Sequence, residues 1–72
     1  SVIFKGKSVI GKNTKIGKNS IIENSIIWDN VVISDDVHIE NCVIASDCVI
    51  KMNLHSQIVG ANELIEEKSL QV

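Results

Sequence analysis

The 72 residues of this chain suffice for one small domain, and a chain of about this length buries only about 60% of its unfolded surface on folding. A composition that is 44% hydrophobic with a net charge of −2 excludes a disordered polar chain and gives no general attraction to nucleic acid. No apolar run approaches the ~18 residues of a membrane span and no signal peptide opens the sequence, so no membrane partner is expected.

The apolar residues are mostly Ile and Val, with one Phe, one Trp and neither Tyr nor Pro. β-Branched side chains are stiff at χ1 and suit a pleated surface, which makes strand the expected local structure. The first residue is Ser rather than Met, which points to a piece of a longer protein. Cys42 and Cys48 lack metal-type partners in the sequence and fit a reducing, cytoplasmic setting.

Along the chain a repeat emerges. Phe4 and Ser8 form a first unit, and regular units then run from Ile10 to Lys15, Ile16 to Ile21 and Ile22 to Ile26. Two units of six and one of five give a period of 17, so Ile10, Ile27 and Ile44 are in phase, as are Ile16, Ile33 and Ile50, and Ile22 and Ile39. A helix places apolar residues three and four apart, and this spacing builds no helical face. Companion positions keep the same beat (Thr14, Val31, Cys48; Ser20, Val37, Leu54; Ser25, Cys42). So do polar ones (Asn13, Asn30, Asp47; Asn19, Asp36, Asn53).

The repeat predicts a coil with three flat sides. Each aliphatic residue points inward, and Asn, Asp or Gly turns the corner because it tolerates left-handed backbone angles. The small residue that follows, the cysteines included, fits inside the corner. Stacked rungs pair their backbones in parallel ladders about 4.8 Å apart and share burial with their neighbours. Downstream, the beat is expected to hold through His55, lose two residues, and resume at Val59 and Ile65. About four rungs result, the last incomplete, in one domain spanning 1–72 without a separate C-terminal helix. A short amphipathic helix over 63–70 is the alternative for the tail.

Side chains alternate along a strand, so the residue before each inward aliphatic points outward. On one side these are Val9, Ile26, Val43 and Ile58, with Trp28 beside them. This apolar stripe, with a lone Trp as anchor, is the expected interface. The second side mixes Lys15, Val32, Val49 and Leu64; the third shows Ile21, His38 and His55, flanked by Glu23 and Glu40. His38 and His55 are the candidates for acid–base or metal chemistry, but two ligands are too few for zinc and they read as solvated corner residues. Lys5, Lys7, Lys12, Lys15 and Lys18 make one end basic, while Glu63, Glu66 and Glu67 lie at the other. Without Arg or interleaved aromatics the basic end does not read as a nucleic-acid site.

The unit, an aliphatic residue followed by a small residue four positions on, resembles the hexapeptide-repeat family. That resemblance, which covers the chain from about residue 4 to residue 70, implies a single-stranded left-handed parallel β-helix, an all-β fold. The stretch from Ile22 to Ile33, with its turn at Trp28, Asp29 and Asn30, and the stretch from His38 to Ile44 are similar to the C-terminal domain of sugar-nucleotide pyrophosphorylases, the mannose-1-phosphate guanylyltransferase type above all. The resemblance implies a parent protein in which an N-terminal Rossmann-like domain transfers a nucleotidyl group from a nucleoside triphosphate to a sugar 1-phosphate, using Mg²⁺. The solenoid is then a C-terminal structural and oligomerisation domain, partnered by further copies or by the parent's catalytic domain. That domain's glycine-rich, Arg-containing nucleotide loop does not occur here, so no catalytic, cofactor-binding or metal-binding residue carries over. Related solenoids occur in subunits of a eukaryotic translation-initiation exchange factor. The alternative is a small hexapeptide-repeat acyltransferase, in which a His acts as general base at a cleft between subunits.

Overall fold

The computed structural model describes residues 1–67. Twelve strands of two or three residues wind into four rungs, and corresponding strands stack as three parallel four-stranded sheets. Sheet A holds β1 (Ile3–Lys5), β4 (Ile21–Glu23), β7 (His38–Glu40) and β10 (Leu54–His55). Sheet B holds β2 (Val9–Ile10), β5 (Ile26–Ile27), β8 (Val43–Ile44) and β11 (Ile58–Val59). Sheet C holds β3 (Lys15–Ile16), β6 (Val32–Ile33), β9 (Val49–Ile50) and β12 (Leu64–Ile65). The fourth rung therefore has all three of its strands. Leu64 and Ile65 form a rung strand rather than the start of a helix, and the tail from residue 68 onward lies outside the described residues.

The corners explain why the strands are so short. Asn13, Asn19, Asn24, Asn30, Asp36, Asn41, Asp47 and Asn62 all have positive φ, between 49° and 64°, and Ser56 shares that conformation. Such angles cost an ordinary L-residue about 1–2 kcal/mol, and Asn and Asp offset this with local hydrogen bonds. Each corner thus ends a strand at a fixed position and turns the chain onto the next side. Gly6 takes the same conformation, with φ of 64°, at the first corner, where a Cβ would run into the Asn24 side chain. Gly11 is required for another reason: a Cβ there would lie 2.5 Å from the backbone carbon of Trp28 in the rung above.

Inside, Ile22 and Ile39, Ile27 and Ile44, and Ile33 and Ile50 form three aliphatic columns, each residue almost fully buried. Ile10 and Ile16 in the first rung pack against this core but remain half-buried, because among the described residues no rung lies below them. The small residues fill the corners as expected and also join the rungs. The Ser20 hydroxyl donates to the Ser34 carbonyl at 2.8 Å and accepts the Val37 amide at 3.1 Å. Ser25 donates to the Glu23 carbonyl and accepts the Cys42 amide. Buried hydroxyls therefore supply acceptors that the turning backbone lacks, and no described buried side-chain polar atom is left unpaired.

One expectation about register is corrected. The two-residue loss falls before Leu54, not after His55. Leu54 pairs with Ile39 and His55 with Glu40, so Leu54 continues the aliphatic column and does not occupy the small corner position after Ser20 and Val37. Leu is too large for that position, and the core is better filled when it replaces an Ile. Asn53 is consequently not a left-handed corner like Asn19 and Asp36. Its side-chain oxygen accepts the His38 amide at 2.8 Å, capping a donor at the point where the shortened corner changes the ladder.

Candidate docking surface

The sequence places its outward aliphatic residues by alternation alone, and the ladder of sheet B puts them in line. Val9 pairs with Ile26, Ile26 with Val43, and Val43 with Ile58, so the four side chains form one column along the solenoid. Val9 is 61% exposed, Ile26 45% and Ile58 86%, while Val43 is half-buried between its neighbours. Trp28, 56% exposed, stands just past Ile27 at the edge of the same sheet. Because Gly11 has no side chain at the neighbouring position one rung below, a shallow groove of about 260 Å³ opens beside the indole. Val9, Gly11, Ile26, Ile27, Trp28 and Asp29 line it. The groove is the feature that the sequence reading missed, and its signal was the absence of a side chain at Gly11 under the only Trp.

The other two sides differ in kind. On sheet C, Lys15 interrupts the line that Val32, Val49 and Leu64 continue. On sheet A, Ile21 pairs with His38, whereas Glu23, Glu40 and His55 form a separate line on the far side of the inward column. Although 17 residues apart, His38 and His55 are therefore not stacked on one another; the early residue loss shifts His55 two positions along the strand. His38 Nε2 lies 3.4 Å from Glu23 Oε1, and His55 Nδ1 lies 2.8 Å from Glu40 Oε1. Glu23 and Glu40 are direct register partners, so each histidine sets a ring N–H donor beside one of two stacked carboxylates. This arrangement serves the rung-to-rung ladder on an exposed face. Among the described residues no group of three His, Cys, Asp or Glu is placed to hold a metal ion.

Both cysteines are free and buried at inward corners, as the repeat predicts. The Cys48 thiol donates to the Gly60 carbonyl at 3.0 Å and the Cys42 thiol to the Glu40 carbonyl at 3.2 Å. They act as small core residues that also occupy backbone acceptors. A polar hollow at the shortened corner, lined by Asp35, Asp36, Lys51, Met52, Asn53 and Glu67 among others, mixes both charge signs. Sheet B is thus the one described side that is apolar in every rung.

Among known families, the model described as the EIF2B subunit epsilon LbH domain, a left-handed β-helix, matches residues 3–70. No curated protein matches the chain.

Proposed function

This chain belongs to the family of EIF2B subunit epsilon left-handed β-helix domains, and we propose that it is the structural and assembly domain of a nucleotidyltransferase-like protein, docking through sheet B. The observation that carries this reading is the unbroken column Val9, Ile26, Val43 and Ile58 with Trp28 at its edge. Apolar surface of this continuity is costly to leave in water and is uncommon on a small monomer. An exposed Trp beside a shallow groove is the kind of anchor around which binding energy concentrates. The resemblance of the stretches 22–33 and 38–44 to sugar-nucleotide pyrophosphorylases supports a parent that transfers a nucleotidyl group between a nucleoside triphosphate and a sugar 1-phosphate, with Mg²⁺ held by its catalytic domain. In that reading this chain contributes geometry and contact area, not chemistry.

The scaffold reading is tested by assay. The isolated chain is expected to show no turnover of nucleoside triphosphate with sugar 1-phosphate, and no transfer of an acetyl group from acetyl-CoA. Steady turnover in either assay that is lost on His38→Ala or His55→Ala would establish an enzyme and overturn the proposal.

A further inference from the structure

We propose that the groove beside Trp28 is a subsite for an arginine side chain of a partner polypeptide. The aliphatic stem lies on Val9 and Ile26, and the guanidinium lies between the indole and the Asp29 carboxylate. The inference rests on the reading of sheet B as the docking side and adds the chemistry that its groove selects. At about 260 Å³ the groove falls below the roughly 300–1,000 Å³ of sites that enclose a whole small molecule, so its size suits a single side chain. Its lining decides which one. Val9, Ile26 and Ile27 offer aliphatic surface, the Trp28 indole borders it, and Asp29 is the one charged residue that lines it. Gly11 keeps the floor open, since a Cβ there would run into the Trp28 backbone.

A carboxylate beside an apolar groove repels acidic side chains, and a purely aliphatic side chain makes no use of it. Arg and Lys answer both features, because they lay a hydrocarbon stem on apolar surface while the charged head stays in water. A shallow groove allows that. Arg fits better than Lys, since its planar guanidinium stacks on aromatic rings and is the more weakly hydrated cation. Asp29 is also held ready for a ligand. Its Oδ1 accepts the Lys12 amide at 2.8 Å, which fixes the side chain across the rungs through one oxygen and leaves the other for a donor. Lys12 itself does not occupy that carboxylate: the ion pairs among the described residues are those of His38 with Glu23 and His55 with Glu40. The chain contains no Arg, so the guanidinium comes from a different polypeptide and not from a second copy.

Trp28 is the only Trp and the chain has no Tyr, so intrinsic fluorescence reads the groove directly. Titration of dilute protein at low salt with N-acetyl-arginine N-methylamide should give a saturable change in emission. The citrulline counterpart carries a neutral group of nearly the same shape in place of the guanidinium. It should bind about three- to tenfold more weakly, the range of one exposed cation–π contact and one exposed ion pair. Asp29→Asn keeps the oxygen that accepts the Lys12 amide and removes the charge, so it should weaken the arginine probe and leave the citrulline probe unchanged. Equal binding of the two probes to wild type overturns the subsite. So does the absence of a saturable change with the arginine probe, or an Asp29→Asn variant that binds it as wild type does. A failed subsite leaves the docking reading of sheet B standing, because that reading is decided separately, by whether substitutions on sheet B change association.

Discussion

Asn30 shows what a single corner residue contributes. Its φ of 59° lies in the left-handed region, and its amide donates to the Lys12 carbonyl at 2.8 Å across the rungs. The side chain is exposed, so substitution probes the backbone more than packing. Asn30→Ala should lose about 1 kcal/mol, the cost of forcing a Cβ into that conformation. Asn30→Gly should stay close to wild type, because relief at the corner is offset by greater freedom in the unfolded chain. Urea denaturation midpoints of the two variants check this; equal losses would mean that the Asn side chain, not its angle, is what the corner uses. The corner residues were largely legible in the sequence, since Asn and Asp recur in phase with the aliphatic residues. Asn53 was not. It suits a left-handed corner by type, and only the ladder reveals that its carboxamide instead caps the His38 amide.

At the scale of the element, stability lies in columns rather than in strands. Two-residue strands cannot persist alone, and each inward Ile is buried by those above and below it. Ile33 sits between Ile16 and Ile50 in sheet C and is 2% exposed. Ile33→Ala should cost about 2–5 kcal/mol, from lost transfer energy plus the cavity left behind. Ile16→Ala, at the uncovered first rung, should cost clearly less because its side chain is already partly in water. Thermal or urea melts of the two variants test the column picture, which fails if the end substitution is the more damaging. The inward positions, the three sides and the outward stripe followed from period and alternation. The place of the two lost residues did not follow. Leu54 continues the count of 17 from Val37 and also fits an aliphatic column, and one-dimensional spacing does not choose between the two. Packing does, because the corner admits a small residue and the column needs a large one. The pairing of His55 with Glu40 depended on that same choice and was hidden with it, whereas His38 reaches Glu23 within the regular spacing of 17.

Over the described residues the molecule is a three-sided prism with one apolar side, one mixed side and one side that carries Ile21, Glu23, His38, Glu40 and His55. Burying a Trp and four aliphatic side chains removes several hundred Å² of apolar surface from water, a gross gain of several kcal/mol at roughly 25 cal/mol per Å². Lost translational and rotational freedom cancels much of it, so the isolated chain should associate weakly to moderately, with a dissociation constant well above that of an obligate dimer. In a longer parent, domains held together by the chain raise the effective concentration and strengthen the same contact. The most direct test of the central claim, that sheet B is the docking side, is sedimentation over a wide concentration range of three proteins: wild type, Ile26→Glu with Trp28→Lys on sheet B, and Val32→Glu with Leu64→Glu on sheet C. The account predicts that wild type and the sheet C variant associate alike while the sheet B variant remains monomeric. A monomeric wild type, or a sheet B variant that associates as wild type does, contradicts it.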